Sequence, residues 1–347
     1  MSKTRILVVG AGFSGAVIAR ELAEADYDVT IIEKRSHVAG NAFDYKNKYG
    51  IRIHKYGPHL FHTSNLKVVN WLSKFTEWID YKHKVKAMLS DGSLVTLPVN
   101  LETINVVGKE NIIDTFYRPY TKKMWGVEIE EIDPAILNRV SVREDDNQFY
   151  FPDDIFQALP ICGYTSIFES ILNHPNIELK LNTSYLRGME NDYLHTFNSM
   201  PIDEFFDYEI GYLQYRSIKF HTFEIPVPRA YPVVTVNFTH SHAYSRVTEW
   251  KNLPGNPMNI PYTTLTIEEP CSYLENNLER YYPVKDIAGI NRALYLNYKN
   301  MTPENITFIG RCGQYIYINM DQAVSAALSI ADKFKKTTLS DATIRGI

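Results

Sequence analysis

The chain has 347 residues, of which 45% are hydrophobic and 22% are charged, and its formal net charge is -4. This composition is typical of a globular protein without a membrane span, and it excludes a strongly basic protein that binds nucleic acid. Three widely spaced cysteines without a CxxC motif favour unpaired thiols in a reducing compartment. Glycines interrupt the apolar N-terminal run, so we expect a cytoplasmic protein rather than a secreted one.

Residues 1–33 have the pattern of a dinucleotide-binding βαβ unit. The apolar run 6–9 predicts a buried parallel strand, and 16–25 predicts a helix. The run 29–32 predicts a second buried strand, which ends at Glu33. The stretch therefore contains both strands, the intervening helix and the terminal acid that such a unit needs.

Gly10, Gly12 and Gly15 form a GxGxxG turn between the first strand and the helix. The first glycine permits a tight turn, the second lets the backbone approach a pyrophosphate, and the third allows close packing of helix on strand. Glu33 would accept hydrogen bonds from the ribose of an adenosine. An acid rather than an arginine at this position favours FAD or NAD over NADP.

The segment 38–63 distinguishes FAD from NAD, because it is rich in Gly, Asn and His and lacks the helix–strand alternation of a simple NAD domain. It resembles flavoproteins of the glutathione-reductase type. Far downstream, 306–309 predicts a strand, followed by a polar turn and a helix from about Asp321. We therefore predict an α/β fold with a Rossmann-like FAD-binding domain of the glutathione-reductase type.

His59 and His62 are three residues apart, a spacing that on a helix could share a metal ion. Gly57 and Pro58 just before them indicate a turn, however, and no HExxH motif or Cys/His cluster surrounds them. A metal site is therefore the weakest interpretation of these histidines, and we predict none.

The motifs "GAGFSGAVIARELA", "GPHLFHT", "YTKKMWG", "LQYRSIKF", "YSRVTEW", "YYPV" and "GRCGQYIYINMDQA" together resemble the bacterial UDP-galactopyranose mutase family. The resemblance covers most of the chain. It implies a flavin-dependent isomerase that interconverts UDP-galactopyranose and UDP-galactofuranose, a step of cell-surface polysaccharide biosynthesis. It also implies that N5 of reduced FAD attacks the anomeric carbon, so the nucleophile belongs to the cofactor and not to the protein.

The resemblance assigns roles residue by residue. The catalytic set is Arg139, Arg246 and His62. Arg139 and Arg246 would hold the substrate pyrophosphate, His59 and His62 would contact the isoalloxazine ring, and Arg311 would contact the FAD pyrophosphate. The other substrate-binding residues are Phe116, Tyr120, Thr121, Trp125, Tyr150, Arg216, Asn237, Tyr282, Tyr317 and Asn319. The cofactor-binding residues are Gly10, Gly12, Phe13, Ser14, Gly15, Glu33, Lys34, Asn41, His59, Leu60, His62, Arg311 and Met320.

Three interleaved domains are expected. The FAD-binding domain comprises 1–66, 157–202 and 300–338, and a shortened helical lid domain comprises 100–150. An antiparallel sheet domain for the substrate combines 75–99 with 203–282, where alternating apolar and polar residues predict strands.

The chain departs from the family pattern at several points. Only fifteen residues separate Asn100 from Phe116, where the family has a longer helical segment that forms its dimer contact, so a homodimer is left open. Asn319, His83 and Met200 replace an expected aspartate, asparagine and glycine. The hexose is therefore also left open, with dTDP-fucose and UDP-N-acetylgalactosamine as rivals to UDP-galactose.

Two other classes of function are alternatives to the mutase. An FAD-dependent oxidoreductase of the amine-oxidase class would share the fold but would have a hydrophobic substrate channel and no arginine clamp. A non-catalytic FAD-binding relic would bind flavin without turning over any nucleotide sugar. The chain has no second dinucleotide motif for NADPH, so the sequence does not identify the reductant of the flavin.

Overall fold

The computed structural model describes residues 3–131, 142–284 and 288–344. In chain order the strands are β1 (Arg5–Val9), β2 (Asp28–Ile32), β3 (Asp44–Lys46), β4 (Arg52–His54), β5 (Phe61–Thr63), β6 (Trp78–Asp80), β7 (Val85–Met88), β8 (Leu94–Leu97), β9 (Phe156–Pro160), β10 (Ile177–Lys180), β11 (His195–Asn198), β12 (Tyr215–Ile225), β13 (Thr235–Phe238), β14 (Arg246–Glu249), β15 (Thr263–Ser272), β16 (Tyr282–Pro283) and β17 (Ile306–Phe308). The helices are α1 (Phe13–Ala23), α2 (Leu66–Leu72), α3 (Leu101–Val107), α4 (Arg118–Trp125), α5 (Tyr164–Leu172), α6 (Ile202–Phe205), α7 (Ile290–Met301), α8 (Gly310–Gly313) and α9 (Met320–Ile344).

A five-stranded parallel sheet has the order β10-β2-β1-β11-β17. Four of the five residues of β1 and of β2 are buried, because helices α1, α5 and α9 cover the sheet. Small residues such as Ala16 and Ala19, which are fully buried, let α1 pack closely on the strands. The predicted α/β class and the Rossmann-like unit are confirmed, since β1, α1, β2 and the late β17 all form where the sequence placed them, within about three residues.

A seven-stranded sheet has the order β16-β12-β15-β14-β13-β7-β8. Its longest pair, β12 with β15, is antiparallel over ten register positions. The sheet is nevertheless mixed, because β13 runs parallel to β7, with Thr235 opposite Val85. The prediction of a purely antiparallel sheet is corrected at this one pair, which joins strands from distant parts of the chain.

A third sheet has the order β5-β9-β6, and its strands come from segments that lie in the sequence between strands of the two large sheets. The domain boundary expected at residue 75 would have placed β6 in the large substrate sheet, but β6 pairs with β9 instead, with Ile79 opposite Leu159. In the same sheet, β9 holds β5 and therefore His62, which lies opposite Gln157.

The helical part consists of short α3, one π-helical turn (Ile113–Tyr117) and α4. Asn100 begins α3, since its side chain accepts a hydrogen bond from the Thr103 N–H at 3.1 Å. A proline in the first turn of α4 and left-handed Gly126 (φ 72°) at its end limit that helix to eight residues. None of the helices in the described ranges combines the length and apolarity needed to span a bilayer.

Candidate functional site

A cleft of about 310 Å³ lies at the carboxyl ends of β1 and β2. The predicted cofactor residues that line it are Gly10, Gly12, Phe13, Ser14, Gly15, Glu33, Lys34, Asn41, His59, Arg311 and Met320, and the predicted substrate residue Asn319 lies among them. Leu60 and His62 do not line it. The crevice at the carboxyl ends of parallel strands is where open α/β sheets bind ligands.

The glycine turn gives this cleft an anion-binding floor. No side chain caps α1 at Gly12, so the first N–H groups of the helix remain available to a ligand. A Cβ on Gly10 (φ +96°) would lie 2.0 Å from Ser199 Oγ, and one on Gly15 would lie 1.9 Å from the Gly10 carbonyl oxygen. A Cβ on Gly40 would lie 3.1 Å from the Gly12 Cα, so two backbone segments approach each other at the floor. Gly10, Gly15 and Gly40 therefore need glycine, whereas a Cβ on Gly12 would lie 3.8 Å from the Gly40 Cα, an ordinary contact.

Glu33 closes one end of the cleft and is 6% exposed. One carboxylate oxygen accepts a hydrogen bond from the Ala11 N–H, and the other accepts one from the Arg35 N–H, both at 2.9 Å. A carboxylate oxygen can accept a second bond, so Glu33 keeps acceptor capacity for ribose hydroxyls. The donor set of the cleft thus fits an adenine dinucleotide.

Arg311 brings a fixed positive charge to the cleft. Its guanidinium donates to the carbonyl oxygens of Tyr281 at 3.2 Å and Ile318 at 2.7 Å, and it stacks on Tyr317 at 4.7 Å from the ring centroid. Within the described ranges it forms no ion pair with a carboxylate. A preorganised arginine without an acidic partner is suited to a pyrophosphate.

His59 lies at the wall of the cleft in a fixed tautomer. Its Nδ1 is 2.8 Å from the Gly57 carbonyl oxygen and must therefore carry the proton, which leaves Nε2 as an acceptor. The His59 backbone N–H donates to His54 Nδ1 at 3.0 Å. Burial lowers the pKa of His59 to about 3 and that of His54 to about 4, so both rings are neutral near pH 7. In the described parts of the chain, no three metal-ligating side chains cluster.

A second cavity, of about 90 Å³, lies beside α4 and β13. Its predicted substrate residues are Phe116, Tyr120, Thr121, Trp125, Tyr150 and Asn237, and its other walls are mainly apolar. Asn237 Oδ1 is buried there without a hydrogen-bond partner. An unpaired buried acceptor among aromatic rings suits a flat ligand that carries an N–H group, such as a pyrimidine base.

Arg246 of β14 lies opposite Asn237 of β13, which lines the second cavity, and its counter-ion Glu268 lies close to Gly57, two residues before His59 at the wall of the cleft. Its Nε is 2.8 Å from Oε2 of Glu268, a fully buried carboxyl on the facing residue of β15. Burial raises the pKa of Glu268 although Arg246 opposes this shift, while Glu268 raises the pKa of Arg246. No described side chain accepts a hydrogen bond from its two Nη groups, which remain available for a phosphate.

Arg216 and Tyr282 have a supporting position. Arg216 donates to the carbonyl oxygens of Met124 and Lys123, both at 2.9 Å, and Tyr282 donates to the same Met124 oxygen. They thereby bind the carbonyl end of α4, the helix that carries Trp125. Neither lines the cleft or the second cavity, and the ring of Tyr317 lies tilted beside that of Trp125, with 6.2 Å between the ring centroids. Arg139 lies outside the described residues.

Two acidic residues that pair with predicted catalytic residues were not predicted. Glu268 is one, and the other is Asp154, whose Oδ2 lies 2.6 Å from His62 Nδ1. Each partner is distant in sequence from the group it contacts, 92 residues in the case of Asp154. A buried carboxyl on the residue facing a predicted catalytic arginine is visible only once the strand register is known, so no sequence signal could have found Glu268.

Comparisons with known proteins agree with this geometry. A family model described as UDP-galactopyranose mutase matches residues 115–317, and one described as NAD(P)-binding Rossmann-like domain matches 8–75. A probable UDP-galactopyranose mutase from Klebsiella pneumoniae is 34% identical, over 96% of this chain and 95% of the relative. A dTDP-fucopyranose mutase from Escherichia coli is 35% identical, over 96% and 98%. A crystal structure of reduced UDP-galactopyranose mutase superposes with a TM-score of 0.76 at 16% identity, over 99% of this chain and 96% of that one.

Proposed function

Because the chain belongs to the UDP-galactopyranose mutase family, we propose that it is a flavin-dependent isomerase that interconverts the pyranose and furanose forms of a nucleotide sugar. UDP-galactose is the first candidate substrate. The observation that carries the proposal is the position of Arg246, which lies opposite Asn237 of an aromatic cavity that suits a pyrimidine, while its counter-ion Glu268 lies close to the turn of Gly57 and His59 at the wall of the dinucleotide cleft. We infer that the diphosphate of a nucleotide sugar would bind at the arginine, with its hexose towards the cofactor.

FAD is the cofactor that fits the cleft. Glu33 would hold the adenosine ribose, the N-terminus of α1 and Arg311 would hold the pyrophosphate, and His59 would contact the isoalloxazine ring. When bound and reduced, FAD supplies the nucleophile for the anomeric carbon. The protein itself contributes position and charge.

The chain's own groups act on the leaving diphosphate. Trp125 and Asn237 would bind the base, and the Nη groups of Arg246 would neutralise the charge that develops as the glycosidic bond breaks. Glu268, with Oε2 at 2.8 Å from Arg246 Nε, is the counter-ion that would keep the guanidinium at this place before substrate arrives. Arg139 would add a second positive charge, as the family resemblance implies.

A different nucleotide sugar is the second candidate, and the relative from Escherichia coli favours it. That dTDP-fucopyranose mutase is 35% identical to the chain, close to the 34% of the Klebsiella relative. Sequence identity to these two relatives therefore does not decide whether the substrate carries uridine or thymidine, and UDP-N-acetylgalactosamine is also a candidate. The aromatic cavity and the arginine argue against an amine oxidase, whose substrate has no diphosphate. Flavin binding without turnover of any nucleotide sugar would instead indicate a non-catalytic FAD-binding relic.

We also propose a cytoplasmic location, supported by the cysteines Cys162, Cys271 and Cys312, none of which is in a disulfide. The homodimer stays a prediction. The alignment with the Klebsiella relative spans 373 positions although this chain has 347 residues, so the relative contains residues without a counterpart here. Light scattering of the purified protein measures the oligomeric state.

The test is chromatographic. Purified holoprotein, with and without dithionite, is incubated with UDP-galactofuranose and separately with dTDP-fucofuranose, and products are identified against the pyranose standards. Conversion of either compound only after reduction supports the mutase, and the ratio of the two rates assigns the nucleotide sugar. Bound, reducible flavin without conversion of either compound, or of UDP-N-acetylgalactosamine, would count against the proposal and favour the relic.

A further inference from the structure

β12 forms an edge of the seven-stranded sheet along most of its length. Its outer neighbour, β16, pairs only with Tyr215 and Arg216, so within the described ranges no strand pairs with the outer side of β12 from residue 217 onwards. Four consecutive residues, 221–224, are exposed, whereas seven of the ten residues of β15, on the inner side, are buried. An open strand of this kind is a template for pairing with another strand.

The other sheet edges of the molecule are protected. At the opposite edge of the same sheet, α3 packs on β8, and Thr103 Oγ1 donates to the Thr96 carbonyl oxygen at 2.7 Å. β10, at the edge of the parallel sheet, carries Glu178 and Lys180 as exposed charges, which discourage edge pairing. β12 differs from both, because its exposed residues include the aromatic Phe223, which is 40% exposed.

The direction of the peptide groups of β12 follows from the hydrogen bonds near its beginning. The Arg216 carbonyl oxygen accepts from the Tyr281 N–H at 2.9 Å, on the side away from β15. The Ile218 carbonyl oxygen accepts from Asn276 Nδ2 at 3.2 Å. Because the direction of the N–H and C=O groups alternates along a strand, every even-numbered residue of β12 directs them away from β15.

Phe220, Thr222 and Glu224 are the even-numbered residues that remain open. In the part of the chain that the structure describes, their peptide N–H and C=O groups form no hydrogen bond. The open stretch ends on one side at the bond from Asn276 and on the other side at Pro226, which has no N–H. It therefore offers three outward-facing residues and no more.

A second copy of the same strand fits this open stretch about a twofold axis. With the two Thr222 residues facing each other at the axis, Phe220 of each copy lies opposite Glu224 of the other. The peptide groups of these three residues then form six hydrogen bonds in an antiparallel ladder. A shift of two residues in either direction would lose bonds, because the strand would meet Asn276 or Pro226. The open stretch thus specifies one register.

The side chains in this register also suit a second copy. His221 of each copy would lie opposite Phe223 of the other, which forms an aromatic pair at a non-hydrogen-bonded position. Lys219 would lie opposite Ile225, and so no like charges oppose each other. The two Thr222 side chains would meet at the axis, where a threonine pair is favourable.

We propose that the chain forms a twofold dimer in which the β12 edges of two copies pair, so that the two seven-stranded sheets become one sheet of fourteen strands. The partner is a second copy of this chain, bound mainly through backbone hydrogen bonds. This contact differs from the one through the helical segment that the family resemblance implies, and it does not depend on the proposed function. Because a single strand pair is a small interface, the fraction of dimer should rise with protein concentration.

The first test is sedimentation velocity of the purified holoprotein over a range of concentrations, where we expect the wild type to show a dimer. Thr222→Pro removes the N–H groups of the central pair and leaves the bonds to β15 intact, since an outward-facing edge position tolerates proline. We expect its Kd for self-association to rise about 10–10²-fold, because both central hydrogen bonds are lost. Thr222→Val keeps the N–H and the branched shape, so this matched control should stay close to the wild-type Kd.

The second test measures the register. In the proposed pairing, residue 221 of one copy opposes residue 223 of the other with about 4.5 Å between their Cα atoms, a distance that a disulfide can bridge. An equimolar mixture of His221→Cys and Phe223→Cys should therefore cross-link under mild oxidation. Neither variant alone should exceed the wild-type background from the exposed Cys162, because neither cysteine faces its own counterpart.

A wild type that is monomeric at every concentration would overturn the proposal. So would a dimer that Thr222→Pro leaves unchanged, or cross-linking of either cysteine variant alone to the same extent as the mixture. Circular dichroism and flavin absorbance establish that Thr222→Pro is folded. If it is not, Thr222→Lys, which brings two like charges together at the axis, should weaken the dimer in its place. None of these measurements uses turnover, so a failure of the proposed function does not affect them.

Discussion

Substituting Glu268 by Gln tests whether the Arg246 guanidinium is held ready for a diphosphate. The variant keeps the size of the side chain and removes its negative charge. Glu268 is fully buried, whereas a quarter of the Arg246 side chain is exposed. Removing one partner of a buried ion pair costs about 3–5 kcal/mol, and the partial exposure of Arg246 places this case near about 3 kcal/mol.

That loss is measurable as a change in melting temperature. For a chain of 347 residues the unfolding entropy is about 0.7 kcal/mol per kelvin, so a loss of about 3 kcal/mol lowers Tm by about 4 °C. Calorimetry of the apoprotein measures this change in Tm directly. The matched control is Glu269→Gln, since Glu269 is on the opposite face of the same strand and pairs with His221 near the surface at 2.7 Å. An exposed pair of this kind contributes at most about 1 kcal/mol.

Adding UDP separates a structural ion pair from a substrate site. At about one hundred times its Kd, a ligand stabilises the native state by about 2.7 kcal/mol. UDP should raise the Tm of Glu268→Gln by more than it raises that of the wild type, because in the variant the diphosphate is the anion that Arg246 lacks. If Glu268→Gln is no less stable than Glu269→Gln, or if UDP stabilises variant and wild type equally, the reasoning is wrong.

Three other outcomes follow from the contacts described. Glu279→Gln removes a 2.8 Å ion pair with Arg35 at the edge of the cleft, so FAD should dissociate about threefold faster in a flavin fluorescence assay. Arg216→Lys keeps the charge but loses the two bonds to the end of α4, so titration calorimetry should show about tenfold weaker UDP binding. Stability in urea should fall as pH decreases from about 6.5 towards 4, by about 1.4 kcal/mol per pH unit for each buried histidine, because the unfolded chain takes up protons that the folded chain excludes. The histidines whose pKa burial lowers to about 3 or 4 are His54, His59, His83 and His195.

Each of these outcomes has a control. Glu275→Gln changes an exposed acid on the same loop as Glu279 and should leave FAD release unchanged. Arg118→Lys alters an exposed arginine at the start of α4 and should leave UDP affinity unchanged. His83→Asn should flatten the dependence of stability on pH, and a slope that is the same in this variant would contradict the assignment of His83.

The parts of the molecule that the sequence predicted are those set by local chemistry. Short-range sequence patterns, without which a βαβ unit cannot form, specify the glycine turn and the strand that ends at Glu33. The late β17 has a pattern of the same short-range kind. Phe116 and Trp125 lie at the second cavity, as the family resemblance implied, although their contacts with substrate stay a prediction.

The parts that the sequence did not predict depend on register between distant segments. The parallel pairing of β13 with β7 and the pairing of β6 with β9 join strands that no short-range pattern relates. The positions of Glu268 and Asp154 have the same origin, because alternation along a strand says which face a residue is on but not what lies opposite. Arg216 illustrates a further limit, since a motif match could not show that its donors bind helix carbonyls.

The order of strands in the parallel sheet has a consequence for synthesis of the protein. β1 and β2 are made first, but β1 pairs with β11, which in turn pairs with β17, and α9 packs against α1. In the nascent chain the first apolar strands and helix therefore lack their packing partners, and are exposed to aggregation, until about three hundred residues have left the ribosome. Chaperone dependence should be greatest during this interval, and the flavin can be taken up only after it.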